Sequence, residues 1–283
     1  MALFDTGPES TFPAVVAGLA RAGIAAADVR HVFLSHIHFD HAGAAFHFAE
    51  AGASIYVHPR GAPHLLDPTR LVESATRIFG DQMEKLWGRI APVPPSRLSV
   101  LNDGDAVNIG EITVRAIETP GHATHHHVYQ WDDSLFGGDV AGVRIGGGPP
   151  IPPFVPPELH VEAWLESIDK MRRTCARNLY LPHFGPIQRS IPEHFNSLED
   201  RIRRWSEWFG EQIRAGRSAE EMVSGFAEYE HNELRSGGAS EDEIDGYEAA
   251  DPSYMAVPAA ERYWRKYRSE QLPNVQRRND GAV

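Results

Sequence analysis

Over its first two-thirds the chain alternates short apolar runs with glycine- and proline-rich breaks, and after Phe195 it changes to long helical spacing. His31-Val32-Phe33-Leu34 is rich in β-branched and aromatic residues and reads as a short buried strand. Ala44, Ala45, Phe46, Phe48 and Ala49 then follow helical spacing up to a stop near Gly52. Ile112 to Ile117 alternates as a strand and breaks at Thr119-Pro120-Gly121-His122. Leu135-Phe136 is a short apolar run before Gly137-Gly138-Asp139, and Asn178 to Leu181 is a further strand ending at Pro182-His183. Between residues 59 and 96, Leu65, Leu66, Leu71, Ile78, Phe79, Met83, Leu86 and Trp87 recur at near-helical spacing, which fits either a helical pair on a sheet face or a lid. Leu198, Ile202, Trp205, Trp208, Phe209 and Ile213 form an amphipathic helix pattern. An acidic stretch follows to about Asp251, then a basic, aromatic helix from Ala259 to Arg268 with Tyr263, Trp264 and Tyr267. The aromatic helix is expected to dock on the rest of the chain and to serve a dimer contact. Strand, loop and helix in succession indicate an α/β (α+β) protein that presents its chemistry at strand ends.

The breaks carry the chemistry. His36, His38, Asp40 and His41 fall within six positions after the first strand. Imidazole nitrogen and carboxylate oxygen are ligands that zinc and similar divalent metals accept. In an extended segment His36, His38 and Asp40 would share a face and His41 would point elsewhere, so one loop can serve two neighbouring metals. His122, Asp139 and His183 each follow a strand beside glycine or proline and are candidates to complete the set. The single thiol, Cys175, follows a helical pattern of Trp164, Leu165, Ile168 and Met171 and is expected to be a small core residue; one cysteine excludes an intramolecular disulfide.

The order His-x-His-x-Asp-His, Thr-Pro-Gly-His, Gly-Asp, late His resembles the metallo-β-lactamase superfamily of hydrolases over about residues 1 to 190. The resemblance implies an αββα sandwich over 1–194, followed by a C-terminal helical extension over 195–283. It implies that His36, His38 and His122 hold a first metal, that Asp40, His41 and His183 hold a second, and that Asp139 bridges them. Asp5, in Asp5-Thr6-Gly7, matches a turn lying beneath such a site. His126 matches a second histidine of the glyoxalase II pattern, here as a supporting residue, with His125 and His127 facing alternately to it. Two metals about 3.5–4 Å apart can share a hydroxide that attacks a carbonyl or phosphoryl centre. Asp40 and Asp139 would orient that nucleophile or pass its proton.

The resemblance also orders the possible reactions. Asp139 stands where dizinc β-lactamases usually carry Cys or Ser, and His38 stands where the flavodiiron branch carries Glu. Ester, thioester or lactone hydrolysis of a small molecule, as in the glyoxalase II and lactonase branches, leads. A phosphodiesterase on the same metals, a mono-iron persulfide dioxygenase and a non-catalytic binding protein are the alternatives. The expected cofactors are two divalent ions, with zinc the default and iron or manganese compatible with the same ligands. Phe154 and Val155, in the proline-rich loop after Asp139, and Tyr254 are candidates for the substrate pocket.

A formal net charge of -12 weighs against a nucleic-acid partner. No apolar run reaches membrane-spanning length and no signal peptide precedes Leu3, so the expectation is a cytoplasmic protein with a small-molecule substrate, no membrane partner and a possible homodimer through the C-terminal helices. The Asp5-Thr6-Gly7 turn comes early for the family, and a sheet edge at Leu3-Phe4 is expected to be covered by the C-terminal helices or a second chain.

Overall fold

The structure, a computed structural model, describes residues 1–187 and 190–272. The described residues form two compact units, one made of residues 1–118 and 125–138, the other of residues 119–124 and the described residues from Asp139 onward.

The first unit is built on eight strands. β1 (Ala2–Phe4), β2 (His31–Phe33), β3 (Ser54–Val57) and β4 (Leu98–Val100) form a parallel sheet in sequence order. β5 (Ala106–Ile109), β6 (Ile112–Glu118), β7 (His127–Trp131) and β8 (Ser134–Phe136) pair antiparallel, each with the next. Period-two alternation places neighbouring residues of β2 in two different cores. Val32, with Leu34, Ile55 and Val57, packs under Phe46 and Phe48 of the helix Ala45–Glu50. Phe33 and Tyr56 face Val114, Ala116 and Tyr129 between the sheets. Phe4 stacks on Phe33 and Phe136, so the partly buried strand β1 is fixed by ring contacts on one face while it ends the sheet.

The second unit holds the strand pair β9 (Asn178–Leu181) and β10 (Gly185–Pro186) and most of the long helices. The helix Ile191–Arg214 buries Leu198, Ile202, Trp205 and Phe209, as its spacing requires, while Trp208 lies at the margin. The acidic stretch contains two helices, Ala219–Ser236 and Glu241–Ala250. Each opens on a capping box, Ser218 with Glu221 and Ser240 with Glu243. Their burial is carried by few residues, Met222, Phe226 and Leu234 in one and Ile244 and Tyr247 in the other, which explains why composition hid them. The helix Ala256–Tyr267 buries Tyr263 and Trp264; the Trp264 indole donates to the Ser206 carbonyl at 3.0 Å and lies where a side chain at Gly210 would be. Cys175 is exposed, contrary to expectation. The helix Val161–Arg173 ends before it, and Cys175 takes a left-handed turn conformation (φ 52°) that carries its side chain off the apolar stripe.

Candidate metal centre

The loop after β2 is not extended throughout. His38 is the last extended residue, and a one-turn helix, Phe39–Ala42, follows it. The period-two expectation therefore holds for His36 and His38 and fails for Asp40, which sits in the first helical turn. Asp40 groups instead with His41, its Oδ2 lying 3.1 Å from His41 Nε2. The His36 Nε2 and His38 Nδ1 atoms are 2.9 Å apart. The loop thus offers two pairs of ligand atoms. The turn is held by Thr6, whose backbone N–H and hydroxyl both donate to the His41 carbonyl, at 2.7 and 2.9 Å.

Asp5 anchors this arrangement from beneath. It occupies a left-handed conformation (φ 56°), and its Oδ1 accepts the Ser35 amide at 2.7 Å. Its Oδ2 accepts the Ser35 hydroxyl at 2.8 Å and the His41 Nδ1–H at 3.0 Å. Because Ser35 spends its proton on Asp5, its oxygen accepts the His36 Nδ1–H at 3.0 Å. Both rings are thereby set in the tautomer that leaves the Nε2 lone pair available to a metal. Ser35 drew no attention in the sequence, since a lone serine after an apolar run has many ordinary uses.

His125 and His126 crowd the same loop. His126 is fully buried and its ring stacks on His36 with centroids 5.2 Å apart. A side chain at Gly138 (φ 54°) would overlap His126 and come within 2.8 Å of Ser35, so glycine is required there. His125 lies edge-on to His38 at 5.7 Å, whereas the His127 ring lies tilted against His58 at 4.7 Å, beside Glu118. The Tyr129 hydroxyl donates to the Leu34 carbonyl at 2.8 Å. Burial, and next the Asp5 charge, push its ionisation well above the usual phenol range, so it stays a donor.

In the second unit, Gly121 (φ 148°) lets the chain pass against the backbone of Trp164, and His122 follows at once. Its Nδ1–H donates to the Pro153 carbonyl at 2.9 Å, which gives the proline-rich loop a role that no side chain in it reveals. Asp139, 4% exposed, divides its oxygens: Oδ2 is 3.5 Å from His122 Nε2 and Oδ1 is 3.4 Å from His183 Nε2. Phe154 is fully buried against Trp164 and Trp205, Val155 is half-buried, and Tyr254 is exposed.

The donor set suits a divalent metal. Bonds of about 2.0–2.1 Å put neighbouring ligand atoms of a tetrahedral ion about 3.3 Å apart, close to the separations within each unit. His36, His38, Asp40 and His41 in the first unit, and His122, Asp139 and His183 in the second, are all among the described side chains that can hold a metal ion.

A sequence model of the metallo-beta-lactamase superfamily matches residues 2–183. A metallo-beta-lactamase fold-containing protein, ST1585, of Sulfurisphaera tokodaii is 26% identical over 167 residues, 58% of this chain and 63% of that protein. The acyl-coenzyme A thioesterase MBLAC2 of Homo sapiens is 26% identical over 178 residues, 58% of this chain and 55% of that one. The chain therefore spans 55–63% of the length of these relatives. The crystal structure of the metallo-beta-lactamase family protein TTHA1429 from Thermus thermophilus superposes with a TM-score of 0.66 at 22% identity, over 93% of this chain and 84% of that one. No helix among the described residues is long and apolar enough to cross a membrane. With the family's motifs in order over residues 2–183 and its fold over nearly the whole chain, the protein belongs to the metallo-beta-lactamase superfamily, a hydrolase family, and has the metallo-β-lactamase fold with a C-terminal helical region.

Proposed function

We propose that the chain is a dinuclear metal-dependent hydrolase of small-molecule acyl thioesters. In this reading His36, His38 and His122 hold one ion, Asp40, His41 and His183 hold the other, and Asp139 serves both. The observation that carries it is the divided carboxylate of Asp139, one oxygen toward each of two histidines at 3.4 and 3.5 Å, as a bridging ligand requires. The two ligand pairs of the His36–His41 loop match that division. Zinc is the default ion for such a donor set, with iron or manganese tolerated.

When bound, two divalent ions supply an activated water and a positive clamp for the developing oxyanion. The chain's own residues supply the rest. Asp5, Ser35 and the Pro153 carbonyl keep the imidazoles oriented with Nδ1 engaged and Nε2 turned to the ligand side. Asp40, with its side chain about one-third exposed, can take a proton at Oδ2 and return it to the leaving thiolate. Asp139 is almost wholly buried and offsets metal charge rather than exchanging protons with solvent. The thioester preference rests on the activity named for the MBLAC2 relatives.

Elemental analysis of the purified protein should give two equivalents of metal per chain, reduced to one or fewer in His38→Ala. The loaded protein should cleave acyl-coenzyme A in preference to a nitrophenyl ester, a lactone or bis-nitrophenyl phosphate. One equivalent of iron, or preferential cleavage of the phosphodiester, would reject this assignment.

A further inference from the structure

The loop from Asp139 to Pro153 starts on one candidate ligand and ends on the carbonyl that holds another. The Gly142 amide donates to the Asp139 carbonyl at 2.9 Å, and the Pro153 carbonyl accepts the His122 Nδ1–H at 2.9 Å. Between these ends Val143 and Ile151 pair antiparallel and exchange backbone hydrogen bonds of 2.9 and 2.8 Å, which closes the base of the loop. The tip, from Arg144 to Pro150, is mostly glycine and proline. Glycine brings no side chain to pack, and proline brings no amide donor. Buried backbone groups in such a tip need partners from elsewhere in the fold.

The helix Glu241–Ala250 supplies them. The hydroxyl of Tyr247, a fully buried residue, accepts the Ile145 amide at 2.9 Å and donates to the Pro149 carbonyl at 2.7 Å, so one group clamps both sides of the tip. Burial pushes its pKa up to about 12, and it keeps its proton. Glu243 divides its oxygens, Oε1 accepting the Gly147 amide and Oε2 the Ser240 amide, each at 2.8 Å. From the helix Ile191–Arg214, Arg201 donates to the Pro150 carbonyl at 3.2 Å. The glycines are fitted to these contacts. A β-carbon at Gly148 would lie 2.6 Å from the Tyr247 hydroxyl, and one at Gly146 would overlap the Glu243 carboxylate. The helix buries only Ile244 and Tyr247. It therefore gains little from apolar burial of its own, while Tyr247 and Glu243 bond the backbone of the loop.

We propose that Tyr247 is a positioning residue of the metal centre: by clamping the loop tip it fixes the base between Asp139 and Pro153, and through the Pro153 carbonyl it fixes the His122 ring. The proposal rests on the metal-binding part of the reading above and not on its choice of substrate. The Val143–Ile151 pair joins tip and base into one piece. A tip released from Tyr247 leaves the Ile145 amide and the Pro149 carbonyl without this partner, and the loop must shift to find others. Such a shift moves Pro153, and a ligating imidazole whose Nδ1–H loses its acceptor binds metal more weakly. The acidic C-terminal stretch thereby acquires a function at the centre that its composition conceals.

Tyr247→Phe in the full chain keeps the ring and removes the clamp. Zinc affinity, read by competition with a chromogenic chelator, should fall about tenfold, the lower end of the range for partners of ligating histidines. The visible absorption of the cobalt-substituted protein, which reports ligand geometry, should change with it. Glu243→Ala, at the exposed end of the same contact, should act in the same direction and less. Met222→Ala is the control for stability alone, a buried residue of the C-terminal helices that makes no bond to the loop. It should lower the thermal midpoint at least as far as Tyr247→Phe and leave zinc affinity and the cobalt spectrum unchanged. Gly148→Ala should weaken zinc binding less in Tyr247→Phe than in the parent, since the hydroxyl it would meet is gone. Zinc binding that depends on Tyr247, with no turnover of acyl thioesters, upholds the positioning role and rejects the hydrolase. Thioester turnover by a Tyr247→Phe protein with the parent's zinc affinity and cobalt spectrum upholds the hydrolase and overturns the positioning role. An equal loss of affinity in Met222→Ala also overturns it, and a parent protein that binds no metal rejects both readings.

Discussion

Asp5 is the residue on which most of the candidate centre's order depends. One carboxylate accepts three donors, the Ser35 amide, the Ser35 hydroxyl and the His41 ring, and through Ser35 it also orients His36. Asp5→Asn preserves shape but replaces one acceptor oxygen with a donor, so either Ser35 or His41 faces a like group. Supporting partners of ligating histidines typically contribute tenfold to a hundredfold in metal affinity. Asp5→Asn should therefore lower metal affinity by about that factor, read by competition with a chromogenic chelator, while the melting temperature of the metal-free protein changes little. Unchanged affinity would remove Asp5 from this role. Residue type made much of this legible: histidine and aspartate in dense, ordered clusters have few uses other than ligation. The partners were less legible. Ser35 is an ordinary residue type, and the Pro153 carbonyl belongs to the backbone, which sequence does not describe.

Elements were read best where period and length agreed. β6 and β9, and the helices Ala45–Glu50 and Ile191–Arg214, are long enough to declare their period, whereas β2, three residues long, is read from its β-branched and aromatic content. β1, β4 and β10 have two or three residues each, too few for any period to show. The turn between β6 and His122 tests how tightly an element can fix a ligand. Gly121 lies against the Trp164 backbone, which the His160–Gly121 and Trp164–Val140 hydrogen bonds hold in place, at 2.8 and 2.7 Å. A backbone neighbour cannot rotate away as a flexible side chain can. Gly121→Ala should cost about 2–4 kcal/mol, the range for overpacking combined with backbone strain, as a drop in the urea midpoint. A loss below about 1 kcal/mol, within the ordinary range for a point substitution, would show that the turn can relax and that His122 is less firmly placed than its surroundings imply.

Two buried groups with opposite titration behaviour shape the stability of the whole molecule. His194 donates to the Ala141 carbonyl at 2.8 Å, and burial pushes its pKa down to about 4. Unfolded, it would take up a proton below 6.5, so its linkage removes stability as pH falls from 6.5 towards 4. Glu230, 2% exposed, is shifted the other way. Burial first, then the charges of Asp251, Glu248 and Glu233, hold its carboxyl well above the usual 4.5, and only Arg201 opposes them. Unfolded, it releases its proton near 4.5 while the native state keeps it, so stability falls as pH rises from 4.5 towards the native value. Each slope is at most about 1.4 kcal/mol per pH unit. Between 4.5 and 6.5 the two oppose each other. Above 6.5 the histidine contribution is complete, so a further fall comes from Glu230 for as long as its native carboxyl keeps its proton, and from self-repulsion at a net charge of -12. The urea midpoint of the metal-stripped protein should therefore decline above about pH 6.5. Glu230→Gln should flatten that decline, and His194→Gln should flatten the acid side. Stripping the metal throughout keeps ligand protonation out of the comparison. A Glu230→Gln curve parallel to the parent above about pH 6.5 would mean that the buried carboxyl has already ionised there, with Arg201 compensating it.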